Sequence, residues 1–155
     1  MWSSVKPFLI SLGLTLGVGF LSAALIPESA QQYSALALPA LAPPSWVFAP
    51  VWLLLYLLMG LAAGRILRLS PSPERTAALR YYLLQLLALF LWPLVFFRLE
   101  ARWLALALIL FLFWLIFSTI LSFRPLDKKA SCLLIPLLLW VAFAAYLNAG
   151  AALLN

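Results

Sequence analysis

The stretch from Trp103 to Phe123, WLALALILFLFWLIFSTILSF, contains no charged residue. A helix rises about 1.5 Å per residue, so a helix of this length crosses the roughly 30 Å hydrocarbon core of a bilayer. Lipid offers the backbone no hydrogen-bond partners, and a spanning segment must satisfy its own N–H and C=O groups as a helix. We therefore interpret this stretch as a transmembrane helix.

Four other apolar stretches share this character. The five predicted spans cover about residues 6–26, 46–66, 81–97, 103–123 and 130–154. Of the 155 residues, 67% are hydrophobic and 9% are charged, whereas a soluble domain is about 25% charged. We predict an all-α membrane protein with a single domain, residues 1–155, formed by one bundle of five transmembrane helices. Its longest connection is the loop of residues 27–45.

The basic residues are distributed unevenly between the two sides of the predicted bundle. Arg98 and Arg102 lie on the side of the C-terminus. The side of the N-terminus carries Lys6, Arg65, Arg68, Arg75, Arg80, Arg124, Lys128 and Lys129. Because cytoplasmic loops carry an excess of Lys and Arg, we expect a multi-pass protein of the bacterial cell membrane, with a cytoplasmic N-terminus and an outer C-terminus. The lipid bilayer is then the expected partner of this basic chain, and nucleic acid is not.

Residues for acid–base and metal chemistry are nearly absent. The chain has no histidine, which is the commonest general base and metal ligand. Its four carboxylates all lie in predicted loops, away from the mid-membrane positions that proton relays use: Glu28, Glu74, Glu100 and Asp127. We expect no catalytic residue of the usual kinds, no metal site and no obligatory cofactor. A pump, a metalloenzyme and a proton-driven carrier are disfavoured.

Aromatic and amide side chains recur at helical spacing in three of the spans, so that each set shares one helix face. These sets are Trp52, Tyr56 and Gly60; Gln85, Leu89, Trp92 and Phe96; and Trp140, Ala144, Leu147 and Asn148. If the three faces meet, they line a slot with apolar walls and two fixed amides, which is typical of a site for a flat apolar ligand.

A second interpretation of the same residues remains open on the pattern alone. Trp and Tyr also form belts at membrane interfaces, and Trp2, Trp46 and Trp103 lie near span ends. Amides such as Gln85 and Asn148 also form hydrogen bonds between helices. In this interpretation the three faces only pack the bundle and hold no ligand.

Three groups of motifs follow one another along the chain. The first is PPSWVFAPVW at residues 43–52, followed by Leu55-Tyr56 and Met59-Gly60. The others are Gln85-Leu86 with Trp92-Pro93 and Phe96-Phe97, and Pro136 with Trp140, Phe143-Ala144 and Leu147-Asn148. Together they resemble the tryptophan-rich sensory protein / translocator protein family, also called the peripheral benzodiazepine receptor family. Tyr33 resembles the aromatic residue of the family's first loop. The match covers essentially the whole chain, in order.

The resemblance implies a five-helix bundle, usually dimeric, that binds porphyrins, sterols and benzodiazepine-like drugs between its helices, with the first loop as a lid. Carried over by motif position, the pocket involves Tyr33, Pro43, Trp46, Trp52, Trp92, Phe96, Trp140, Ala144, Leu147 and Asn148. Tyr56, Gln85 and Leu89, from the three helix faces, complete the predicted ligand-binding set. We expect a homodimer, and the small-residue pairs Gly13/Gly17 and Gly60/Gly64 allow close helix approach.

Several positions depart from the family pattern. Gln32 stands where the family often has Trp, Leu38 replaces a basic residue, and Leu89 stands in place of an Asn. Leu137 likewise replaces a Tyr, so the expected pocket is drier than usual. Nothing basic follows Tyr146, which removes the pattern cited for sterol contact and argues against a sterol ligand.

We therefore predict a membrane receptor or sensor that binds protoporphyrin-like tetrapyrroles. Without histidine, the protein would pack against the macrocycle and would not ligate its iron. Three alternatives stay open: a transporter of porphyrin or lipid, a structural partner without a small ligand, and light-dependent porphyrin degradation. For the last of these, Trp52 and Trp140 are the photochemical candidates.

Overall fold

The computed structural model describes residues 2–155, and this part of the chain is helical with short connections. The helices are α1 (Trp2–Ala24), α2 (Ser29–Ala35), α3 (Phe48–Leu67), α4 (Pro73–Pro93), α5 (Arg102–Phe123), α6 (Lys128–Leu133) and α7 (Ile135–Leu154). A 3₁₀ turn, Ser45–Val47, precedes α3, and a π-helical turn, Leu94–Arg98, follows α4.

Five helical segments in the described residues are long and apolar enough to cross a membrane. They are Trp2–Ala24, Ser45–Leu67, Pro73–Arg98, Arg102–Phe123 and Lys128–Leu154. The prediction of an all-α, multi-pass integral membrane protein is confirmed. The end of the bundle that carries α2 and the last residue, Asn155, is called the lid end below. The opposite end, with Arg65 and Asp127, is called the basic end.

The third span begins at Pro73, earlier than the predicted Tyr81. Ser72 is its N-cap, and the Ser72 hydroxyl accepts a hydrogen bond from the backbone N–H of Arg75 at 3.1 Å. Pro73 has a ring that fixes a helical φ, and Glu74 places negative charge near the positive end of the helix dipole. Hydropathy marks only the membrane-embedded part of a helix, and this first part projects beyond it.

Glycines set the close packing of α1 against α3. A Cβ atom at Gly60 would lie 3.0 Å from the Cα of Leu12, and one at Gly64 would lie 2.9 Å from the Ser11 hydroxyl. The Ser11 hydroxyl in turn donates a hydrogen bond of 2.7 Å to the carbonyl of Gly60. This small-residue pair therefore packs helices within one chain.

An ion pair and a helix cap hold the basic end together. Arg65 of α3 contacts the Asp127 carboxylate at 2.8 Å, and the same carboxylate accepts a hydrogen bond of 3.0 Å from the Ala130 N–H at the start of α6. Desolvation alone raises the pKa of Asp127, but the Ala130 hydrogen bond and the Arg65 guanidinium outweigh it and hold the pKa below its ordinary value of 3.8.

Candidate ligand-binding site

A cavity of about 360 Å³ lies inside the bundle near the lid end, between α1, α3, α4 and α7. Helix α2 forms its roof, since Ser29, Ala30 and Tyr33 are among the residues that line it. The volume falls in the range of about 300–1,000 Å³ that is usual for sites of small molecules. Within the described residues its lining carries no charged side chain. We call it the main cavity.

The α3 wall is aromatic because Phe48, Trp52 and Tyr56 repeat every four residues and so share one face. The rings of Trp52 and Tyr56 lie 6.0 Å apart between centroids. Behind them stands Trp140 of α7, whose ring meets the edge of Trp52 at 6.5 Å and that of Phe48 at 5.8 Å. Such edge-on contacts stabilise a fixed arrangement of rings, so this wall is preformed.

The α4 wall consists of Leu89, Trp92 and Phe96. The rings of Trp92 and Phe96 are 5.5 Å apart and tilted by 31°. Phe96 lies in the π-helical turn that follows Pro93, where the missing proline N–H interrupts the regular hydrogen-bond ladder. Phe96 lines the same wall as Trp92.

The α7 wall combines a small, a large aliphatic and a polar side chain, namely Ala144, Leu147 and Asn148. The indole N–H of Trp92 donates to Asn148 Oδ1 at 3.0 Å, and Asn148 Nδ2 donates to the Arg102 carbonyl at 2.9 Å. These two bonds fix the orientation of the amide, because its oxygen must face the indole N–H. They also join α4, α7 and the first residue of α5.

The roof is held by a hydrogen bond within its own loop and by a ring contact to α3. The Tyr33 hydroxyl donates to the Pro43 carbonyl at 2.8 Å, and Tyr33 itself is buried. Desolvation by burial raises the pKa of Tyr33, so the hydroxyl stays a neutral donor at physiological pH. The phenol ring also meets Phe48 edge-on at 4.8 Å.

The second half of the loop that carries the roof is held by the end of α7. The Tyr146 hydroxyl donates to the Ala40 carbonyl at 2.7 Å. The Asn155 amide bonds both to the N–H of Ala37, at 3.1 Å, and to its carbonyl, at 2.9 Å. Pro39 packs directly against Gly150, since a Cβ on Gly150 would overlap the proline ring.

Nine of the predicted ligand-binding residues line the main cavity. They are Tyr33, Trp52, Tyr56, Leu89, Trp92, Phe96, Ala144, Leu147 and Asn148. The structure thus brings the three predicted helix faces together under the first loop. That these residues contact a ligand stays a prediction.

Four predicted residues lie away from the main cavity lining. Pro43 accepts the Tyr33 hydrogen bond, and Trp46 points outward with 73% of its surface exposed. Gln85 is fully buried nearer the basic end, where its Nε2 donates to the Met59 sulfur at 3.3 Å. Trp140 packs against Trp52 and Phe48, and its buried indole N–H has no hydrogen-bond partner among the described residues.

Sequence reasoning missed the wall that α1 contributes. Leu16, Gly19 and Ala23 line the main cavity from this helix. Gly19 has a packing role, because a Cβ there would lie 2.9 Å from the Tyr56 ring. Their spacing is that of one helix face, but aliphatic and small residues occur at this spacing in any transmembrane helix.

The chain is similar to several known proteins along most of its length. The model of the TspO/MBR family matches residues 11–154. Tryptophan-rich protein TspO of Chlorobaculum tepidum is 36% identical over 141 residues, which is 90% of this chain and 89% of that protein. Tryptophan-rich sensory protein of Cereibacter sphaeroides is 36% identical over 154 residues, which is 99% of this chain and 92% of that protein. Translocator protein of Ovis aries is 34% identical over 148 residues, 92% and 88% of the two chains.

Proposed function

Because the chain belongs to the TspO/MBR family, we propose that it is a membrane receptor that binds protoporphyrin-like tetrapyrroles in the main cavity. The observation that carries this proposal is the cavity itself, with aromatic side chains from α3 and α4 on its walls and Tyr33 in its roof. A porphyrin is a flat, apolar aromatic ring, and such ligands gain most from stacking and burial against aromatic walls.

The wall composition supports packing as the source of affinity. Trp52, Trp92 and Phe96 provide aromatic rings, and the small side chain of Ala144 leaves room for a planar guest. The Trp92 indole N–H is already bonded to Asn148, so its ring is held in place before a ligand arrives. A preorganised site spares the cost of ordering side chains on binding.

The test is a titration of the purified protein with protoporphyrin, followed by quenching of tryptophan fluorescence. We expect saturable quenching. Ala144→Phe fills the main cavity and should weaken binding by at least tenfold. Ala107→Phe, an outward-facing position on α5, is the matched control and should bind like the wild type. Unsaturable quenching, or equal affinity in the two variants, would contradict the proposal.

We also propose that the basic end faces the cytoplasm and the lid end faces outward, as the excess of Lys and Arg at the basic end supports. The single natural cysteine can be removed by Cys132→Ser, and new cysteines placed at exposed Ser34 of α2 or exposed Ser70 near the basic end. A membrane-impermeant maleimide applied to intact cells should label Ser34→Cys alone. Labelling of Ser70→Cys alone would reverse the orientation.

We further propose that the protein is a homodimer. On α1, the pair Gly13 and Gly17 faces outward, and a Cβ at either position would meet nothing within 4 Å in the described chain. Such a surface allows the helix of a second copy to approach closely. Gly17→Leu should shift the detergent-solubilised protein from dimer to monomer by light scattering. A wild-type monomer, or a variant that stays dimeric, would count against this interface.

A further inference from the structure

A second, smaller recess of about 190 Å³ adjoins the main cavity at the lid end. Phe96 and Phe97 line both spaces. Helix α2 borders both as well: Tyr33 faces the main cavity, whereas Gln32 faces the recess. We call this space the outer recess.

The outer recess differs from the main cavity because it contains charged side chains, Glu100 and Arg102. The Arg102 side chain is 23% exposed, and its Nε is buried without a hydrogen-bond partner among the described residues. Its terminal nitrogen reaches the Glu100 carboxylate only at 3.9 Å, and the Glu100 side chain is 66% exposed. A loose, exposed pair of this kind contributes little, so the guanidinium keeps donors available for a better-placed acceptor.

The position of Arg102 is tied to the wall of the main cavity. Its backbone carbonyl accepts the hydrogen bond from Asn148, whose oxygen accepts the bond from Trp92. Arg102 is also the first residue of α5, where the helix dipole favours an anion. A ligand held against Trp92 would therefore lie near the backbone of the residue that carries this guanidinium.

We propose that the outer recess is a carboxylate subsite, in which Arg102 binds an acidic arm of a ligand whose apolar body occupies the main cavity. This inference rests on the proposed function and assigns the ligand class more narrowly, to tetrapyrroles that carry free carboxylates. The planar guanidinium matches a carboxylate with two parallel N–H···O bonds, and such charge-assisted bonds are about twice as strong as neutral ones. Binding replaces the loose contact to Glu100.

Two porphyrins with the same ring distinguish carboxylate binding at the outer recess from binding of the macrocycle alone. Protoporphyrin IX carries two propionate carboxylates, and its dimethyl ester carries none. The wild type should bind the free acid about tenfold more tightly than the ester. Arg102→Gln should remove most of this preference by weakening the acid and leaving the ester unchanged. Glu100→Gln should strengthen acid binding, because it removes a like charge from the recess.

Arg98 provides the matched control at the same end of the bundle. It is exposed and donates to the Leu25 carbonyl at 3.2 Å, and it does not line the outer recess. Arg98→Gln should keep the preference for the acid. Arg102→Lys keeps the charge but loses the planar guanidinium, so we expect an intermediate preference for the free acid over the ester.

The possible failures are distinguishable. Equal binding of acid and ester by the wild type would overturn the subsite while leaving the proposed function intact. Equal weakening of both porphyrins in Arg102→Gln would assign Arg102 a structural role and also overturn the subsite, as would loss of the preference in Arg98→Gln alone. If neither porphyrin quenches tryptophan fluorescence saturably, the proposed function fails, and the subsite fails with it.

Discussion

The indole N–H of Trp92 donates a 3.0 Å hydrogen bond to Asn148 Oδ1 and so joins α4 to α7 in the wall of the main cavity. Asn148 is 1% exposed, and a buried polar group left without its partner costs about 1–3 kcal/mol. The same amide donates to the Arg102 carbonyl at 2.9 Å. This pair therefore stabilises the bundle and also fixes the geometry of the candidate site.

Asn148→Leu should destabilise the bundle, because it leaves the Trp92 N–H and the Arg102 carbonyl without their partner. Hydrogen bonds between transmembrane helices contribute about 0.6 kcal/mol on average and up to about 2 kcal/mol. Trp92→Phe removes the donor and keeps a ring. In a double-mutant cycle measured by unfolding in detergent, the combined variant should lose less than the sum of the single variants. Strict additivity would show that the bond contributes nothing.

Gly150→Ala should loosen the loop that carries the roof, because its new methyl group overlaps the Pro39 ring. Hydrogen exchange of residues 36–42 should become faster, and porphyrin should dissociate faster. Ala107→Ser, at the outward-facing position on α5, is the matched control and should leave both rates unchanged. Equal exchange rates in the two variants would contradict the role of Gly150.

Tyr33→Phe tests the hydrogen bond that holds α2 in the roof. The variant keeps the ring and its contact with Phe48 but loses the 2.8 Å bond to the Pro43 carbonyl. We expect faster exchange in residues 29–35, with a local cost of about 1 kcal/mol. Tyr81→Phe, at a half-buried position on α4 away from the roof, should leave this segment unchanged. An unchanged α2 in Tyr33→Phe would mean that the ring alone holds the roof.

The basic end should depend on pH through Asp127. Its pKa is lower in the folded protein than its ordinary value of 3.8, so the carboxylate stabilises the fold at pH values above 3.8. This contribution is lost as the pH falls through the folded-state pKa. Asp127→Asn keeps a capping side chain but removes the charge. Its deficit in melting temperature relative to wild type should be present at pH 7 and vanish well below pH 3.8.

Arg65→Gln gives an independent check, because it removes the partner of the same ion pair. It should reduce the acid-dependent loss of stability in a protein that still has Asp127. A partly exposed pair contributes at most about 1 kcal/mol, so small shifts are expected. A deficit of Asp127→Asn that persists unchanged at pH 2.5 would show that the charge has no role.

The membrane itself explains why so much of the fold was predictable. Each span must satisfy its backbone hydrogen bonds internally over about 30 Å of hydrocarbon. An apolar run such as residues 103–123 must therefore form a transmembrane helix. Helical spacing placed Trp52 with Tyr56 and Trp92 with Phe96 on single helix faces, and the family resemblance favoured a ligand site over packing alone. The early start of α4 at Pro73 was missed because a capped, polar helix segment outside lipid carries no hydropathy signal.

Spacing alone did not show which residue of a face reaches the cavity. Trp140 lies one turn before Ala144 on α7, yet it packs against Trp52 and Phe48 and does not line the main cavity. Gln85 shares a face with Leu89, but it lies nearer the basic end and bonds to Met59. Depth along the helix and the packing of neighbours decide these cases, and neither is a property of the local pattern.

The structure of the protein with bound protoporphyrin tests the account most directly. It should show the macrocycle between Trp52, Trp92 and Leu147, beneath Tyr33, with α2 closed over it. Porphyrin on the outer, lipid-facing surface of the bundle, with the space among these four residues unfilled, would contradict it.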